Sequence, residues 1–224
     1  MAFRVPTPRL PRLPGRARIV VPILVGLVAF IIVASVFVSI YTDLLWFRSV
    51  GFSAVFSRRL ETRLLLFFVF GVLMALIVGV NVFLAHRLRP PFRPISAEQE
   101  QLESLRQAIH PFRHWLLGLV LLIIGAITGS AAAGRWRTWM LWRNGVHFGI
   151  KDPQFHKDVS YFAFTYPFQR FILGMLFAAV IVSLVAVLLT SYLYGALRPQ
   201  TPGPKVSPAA RAHISELLGV FVLL

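Results

Sequence analysis

The sequence predicts an all-α protein: a polytopic transmembrane helical bundle with four full spans, a partial fifth and short polar connectors. Three observations carry that reading. Residues 19–40, 64–86, 115–134 and 171–196 are long apolar stretches without Asp, Glu, Lys or Arg. Each has about the 20 residues that a helix needs to cross a hydrocarbon core of roughly 30 Å. The 224 residues are 57% hydrophobic and 14% charged, too apolar for an ordinary soluble domain. In lipid the backbone must satisfy its own polar groups, so apolar stretches of this length become helices.

The elements follow in order. Residues 1–18 form a cytoplasmic tail with five arginines, Arg4, Arg9, Arg12, Arg16 and Arg18, and no acid. Pro6, Pro8, Pro11 and Pro14 keep it extended and solvated. The first span, 19–40, is longer than the apolar region of about 7–15 residues in a cleaved signal peptide, and no small-x-small site follows. It reads as a retained anchor. Residues 41–63 connect it to the second span, 64–86.

The cytoplasmic connector 87–114 contains Pro90, Pro91 and Pro94, then the capping-box pattern Ser96, Ala97, Glu98, Gln99. Leu102, Leu105 and Ile109 follow at near-helical spacing, and Glu98, Glu100 and Glu103 complement the helix dipole. Pro111 limits the element. The pattern predicts a short amphipathic helix over 97–109, lying on the membrane or packed on neighbouring helix ends.

The third span, 115–134, carries Gly125 and Gly129 four apart, then small residues from Ser130 to Gly134. Small residues at this spacing let helix backbones approach closely. The expected partner is another span of the same chain, with self-association as the alternative. The extracytoplasmic connector 135–170 places Trp136, Trp139 and Trp142 every third residue among Arg135, Arg137 and Arg143. Such a stripe suits an interfacial aromatic belt, with base stacking as the alternative. The fourth span is 171–196. The cytoplasmic connector 197–213 holds Pro199, Pro202, Pro204 and Pro208, a stiff link. Residues 214–224 start a fifth span. Its apolar run from Leu217 reaches only about 12 Å as a helix. The expectation is a longer protein of which this is the front part.

Charge sets the orientation and the partners. The net charge is +15, from 23 Lys+Arg against 8 Asp+Glu. With the N-terminus inside, 13 basic residues fall on the cytoplasmic side and 10 outside. The positive-inside rule favours that placement. Beside membrane spans, the partners for such charge are anionic lipid headgroups rather than nucleic acid. Envelope proteins or a second copy remain possible partners. Cysteine is absent, which removes disulfides and thiolate chemistry.

The search for chemistry yields little. Transport coupled to ions usually needs ionisable residues inside the spans. These spans offer Asn81, Thr128, Ser130, Ser183 and Thr190. Serine and threonine there more often bond a backbone carbonyl or a neighbouring helix. Outside, His147, Asp152, His156 and Asp158 are the only acid–base or metal-ligating candidates, but their spacing matches no ligand pattern, and Asp152-Pro153 reads equally as a turn. No phosphate loop, nucleophile elbow or His-Glu-x-x-His helix occurs. No catalytic residue, cofactor site or metal site is therefore assigned.

Three segments carry a resemblance. They are Tyr41-Thr-Asp-Leu-Leu-Trp-Phe-Arg-Ser-Val-Gly-Phe52, with Val55-Phe56 close behind; Phe148-Gly-Ile-Lys-Asp-Pro-Gln-Phe-His-Lys-Asp-Val-Ser-Tyr161 with Pro167-Phe-Gln-Arg-Phe171; and Pro202-Gly-Pro-Lys-Val206, followed by the helix entry Ala209-Ala-Arg-Ala-His213. Together they resemble the N-terminal part of uncharacterised protein family 0182, large integral membrane proteins common in actinobacteria. The resemblance implies a longer protein with further spans and then a large extracytoplasmic region. It brings no catalytic or binding residue. The leading expectation is a non-enzymatic membrane module that anchors that region. The alternative is a transporter or lipid-handling permease whose pathway includes spans beyond residue 224. A third is an enzyme acting on membrane lipids through Asp152, His156 and Asp158.

Overall fold

The computed structural model describes residues 15–88, 107, 109–198 and 205–224. Among them are six α-helices: α1 (Gly15–Ser49), α2 (Ser53–Arg87), α3 (Arg113–Gly134), α4 (Trp136–Arg143), α5 (Tyr166–Leu193) and α6 (Pro208–Leu223). Four helical segments are long and apolar enough to cross a membrane: Pro22–Ser49, Ser53–Arg87, His110–Gly134 and Tyr161–Leu193. The described residues form no named strand, only two isolated bridges. The expected helix over 97–109, apart from Gln107 and Ile109, and the proline-rich tail lie outside the described residues. The chain divides into two compact units, one ending at Arg58 and one spanning Arg59–Leu224.

In the first unit, α1 runs past the apolar stretch to Ser49, so the expected connector 41–63 shrinks to a turn at 50–52. Nothing between residues 41 and 49 breaks a helix, and loss of apolarity alone does not end one. Gly51 ends it. Its φ of 77° is open to glycine at little cost, and its N–H donates to the Arg48 carbonyl at 3.1 Å. The Phe52 N–H donates to the Phe47 carbonyl at 2.9 Å, and the Phe47 and Phe56 rings lie 5.8 Å apart across the turn. Within α1 the Ser35 and Thr42 hydroxyls donate to the carbonyls of Ile31 and Val38, both at 2.7 Å. These two hydroxyls are satisfied by the helix's own backbone.

In the second unit, α2 and α3 meet backbone to backbone. A Cβ on Gly129 would lie 2.5 Å from the Phe67 carbonyl oxygen, and one on Gly71 would lie 2.7 Å from that of Gly125. The small-residue motif therefore packs against another span of the same chain, as expected. Residue Gly71, on the opposite helix, completes the contact. Around this crossing, Met74 and Val78 of α2 bury against Ala179 of α5, with Leu121 and Ile124 of α3 alongside.

The α-helical run of α5 starts at Tyr166, before the expected residue 171, and Pro167 sits in its first turn, where a missing N–H costs little. A π-helical turn, Tyr161–Thr165, leads into it. Helix α6 starts at Pro208, before the expected 214. The Ser207 side chain caps it by accepting from the Ala210 N–H at 3.3 Å, and Pro208 again occupies the first turn. His213, expected in a connector, is thus helical and buried. An isolated bridge pairs Leu197 with Val206 between α5 and α6. The Arg198 N–H donates to the Lys205 carbonyl at 2.7 Å, and the Ser207 N–H to that of Ala196 at 2.8 Å. Residues 199–204 of the expected stiff link lie outside the described residues.

A leucine at Gly129 has nowhere to go but into the Phe67 backbone. Gly129→Leu is expected to destabilise the fold by about 1–3 kcal/mol, as overpacking does. Gly118, also on α3, faces open space. Gly118→Ala is expected to be neutral or to gain up to about 1 kcal/mol from helix propensity. Loss of helical circular dichroism against SDS mole fraction in detergent measures both.

Candidate functional site

The residue types that could do chemistry fall into three places, and the structure treats each differently. The first is the loop from Gly145 to Ser160. Its two carboxylates are turned onto the loop's own backbone. Asp158 Oδ1 accepts from the Ser160 N–H at 2.8 Å and from the Phe148 N–H at 3.2 Å, while Oδ2 accepts from the Gly149 N–H at 2.9 Å. Asp152 Oδ2 accepts from the N–H groups of Gln154 at 3.0 Å and Phe155 at 2.7 Å, a turn of the kind aspartate forms before proline. Lys151 bridges to Asp158, and the Val159 N–H donates to the Ile150 carbonyl at 2.9 Å. Gly149 at φ 73° and His156 at φ 54° take the two left-handed positions of this fold-back.

His147 and His156 are exposed and do not converge with the two aspartates. Among the described residues, no three His, Asp or Glu side chains come together in a way that could hold a metal. The Ser160 hydroxyl, then the Ser160, Phe148 and Gly149 N–H groups, hold the Asp158 carboxyl well below the usual carboxylate range. A carboxylate so engaged is an acceptor in a scaffold, not a proton donor at neutral pH.

The second place is the Trp–Arg segment. Helix α4 folds back so that Trp142 stacks on Phe168 of α5 with ring centroids 4.4 Å apart, and Trp139 meets the same ring edge-on at 5.4 Å. Phe168 is buried beneath them. Trp136 receives the guanidinium of Arg59 at 5.6 Å and that of Arg137 at 5.4 Å. The three-residue spacing made the stripe legible. Its docking partner, Phe168, was not. The Arg135 and Arg170 side chains, at the adjoining ends of α3 and α5, face one groove together with Thr128.

The third place is inside the helical core. The Asn81 amide donates to the Ile77 carbonyl at 2.9 Å and turns its oxygen toward His213 Nε2 at 3.0 Å. The oxygen can only accept, so Nε2 carries the proton in this arrangement. Sequence reading singled out Asn81 and missed His213, which lies 132 residues away. Of the other polar candidates, Thr190 donates to the Ala186 carbonyl at 2.7 Å and Ser130 is exposed. The Ser183 hydroxyl is fully buried with no hydrogen-bond partner.

Two outcomes follow from these geometries. The folded-state pKa of Asp158 is depressed, so its contribution is present above the unfolded value and is lost as pH falls through the folded one. Amide exchange protection at Phe148, Gly149 and Ser160, corrected for intrinsic rates, is expected to hold from neutral pH to about pH 4 and to fall below it. Asp158→Asn should lack that protection at every pH. In the core, Asn81→Leu strands a buried imidazole and is expected to cost about 1–3 kcal/mol, whereas Asn81→Leu with His213→Leu should recover most of the loss. A double-mutant cycle of detergent unfolding reads this out.

Comparison with known proteins agrees with the resemblance drawn from the three segments. A UPF0182 protein of Frankia casuarinae is 54% identical over 209 residues, which is 93% of this chain and 20% of that protein. One from Streptomyces coelicolor is 52% identical over 200 residues, 89% of this chain and 20% of its own. One from Rhodococcus opacus is 39% identical across the whole chain and 22% of its own length. The chain thus spans about a fifth of the length of these curated relatives. No solved structure matches it. The profile of the uncharacterised protein family UPF0182 matches residues 20–224, and the chain belongs to that family.

Proposed function

We infer that this chain is a non-enzymatic module of the bacterial plasma membrane that anchors a larger extracytoplasmic region, with its N-terminus in the cytoplasm. The observation that carries this reading is a set of four helices whose apolar stretches lack charged residues, in a chain one-fifth the length of its relatives. The greater part of those relatives lies outside the matched stretch. The loop carboxylates are engaged by backbone N–H groups, which supports a structural role for them over one in an enzyme of membrane lipids.

A second reading, a permease, is favoured by one observation. The pair Asn81 and His213, with buried Ser183 and Ser191, places polar groups among apolar helices. Such groups line pathways in transporters. Here they face side chains that fill the interior around Val187, which suits packing better than passage.

The orientation is directly testable, because the chain has no cysteine of its own. Gln154→Cys is expected to react with a membrane-impermeant maleimide in intact cells, and Gln107→Cys only after lysis. The reverse pattern would invert the topology. Recovery of the chain in the carbonate-soluble fraction would remove the membrane reading altogether.

A further inference from the structure

A groove of about 740 Å³ runs between α3 and α5, with Met74 of α2 at its floor. On the α3 side it extends from Ile127 to Arg135, about 12 Å of helix, and on the α5 side from Pro167 to Val182, about 22 Å, of which the stretch from Arg170 to Val182 is about 18 Å. One leaflet of a hydrocarbon core about 30 Å thick is about 15 Å deep. Inward from its two arginines the groove is therefore close to one monolayer long. Its walls are apolar apart from Thr128 and the two arginines, which stand at one end. Gly174 leaves its middle open, with no atom within 4 Å of where a Cβ would lie. Neither arginine meets a carboxylate among the described residues; Arg170 lies over the Tyr166 ring at 6.0 Å.

Two guanidiniums without an acid, above a chain-length apolar trough, are complementary to one class of molecule. We propose that the groove between α3 and α5 is a binding site for an anionic phospholipid, its phosphate held by Arg135 and Arg170 and one acyl chain lying over Met74 and Gly174 toward Val182. Guanidinium forks suit phosphate oxygens. A helix from a protein partner would have to bring carboxylates to the mouth, and would find a groove shorter than the bilayer core is thick. The site rests on the membrane placement inferred above.

The test uses the full chain in nanodiscs of equal phosphatidylglycerol and phosphatidylcholine, with retained lipid read by native mass spectrometry and helical content checked for each variant. The expected result is preferential retention of one phosphatidylglycerol. At a typical contribution per basic residue near a lipid surface, Arg135→Gln or Arg170→Gln should lower retention about fivefold and the pair about thirtyfold. Arg137→Gln with Arg143→Gln removes the same charge from exposed positions of α4 and should leave retention unchanged. Gly174→Phe keeps the charge, fills the trough and should lower retention as well.

Equal losses from both arginine pairs would reduce the effect to diffuse attraction and overturn the site. Displacement by inorganic phosphate, with Gly174→Phe binding like the unaltered chain, would make it a free-anion site and overturn the lipid. A dimer abolished by Gly174→Phe, with lipid retention intact, would assign the trough to a second copy. A chain that integrates into membranes yet shows no preference for phosphatidylglycerol sinks only this inference. A chain that fails to integrate sinks the functional reading beneath it.

Discussion

Helices surrounded by lipid gain nothing from hiding apolar surface, so they hold together where their backbones can touch. In the unit from Arg59 onward that contact is the crossing of α2 and α3 at Gly71, Gly125 and Gly129. It fixes the rotation of α3. With Gly125, Gly129, Ala132 and Ala133 turned inward, Ile127, Ala131 and Arg135 must face away from α2's backbone and line the groove. It also fixes the level of Met74, which is at once part of the core with Ala179 and the floor of that groove. A few cubic ångströms at three glycines thus determine where two charged side chains emerge.

Polar groups are handled by short local arrangements. Ser35, Thr42 and Thr190 bond the carbonyl four residues back, and Asn81 does the same while also serving His213. Asp152 and Asp158 collect the amides of their own loop. This economy suits a protein with 8 acidic residues, because each carboxylate that tightens a loop is unavailable for chemistry. Ser183 is the exception, a buried hydroxyl in contact with no acceptor.

The helices were legible because an uncharged run of about 20 residues has few alternatives in lipid. Their ends were not. Apolarity fades near residues 40, 171 and 214, but the helices stop where Gly51, Pro167 and Pro208 allow, which is a backbone matter. The Gly125–Gly129 motif was legible in itself, while its partner Gly71 carries no pattern of its own. The candidate loop residues were found by type, yet nothing in their spacing tells that Asp158 bonds Phe148 and Gly149, because that depends on left-handed turns at Gly149 and His156. His213 and the groove were illegible for a common reason. Both arise only when helices far apart in sequence come together.

Over residues 22–33, helix α1 shows no favoured side. Every described residue from 22 to 33 is exposed, and farther along the Ser35 and Thr42 hydroxyls are closed on their own helix. In a bilayer such a cylinder is rotationally degenerate, since turning it about its axis changes little in what lipid meets. Recognition by shape or hydrogen bond has little to grip there. What remains readable over that stretch is length, the property by which an apolar helix is matched to a bilayer's thickness.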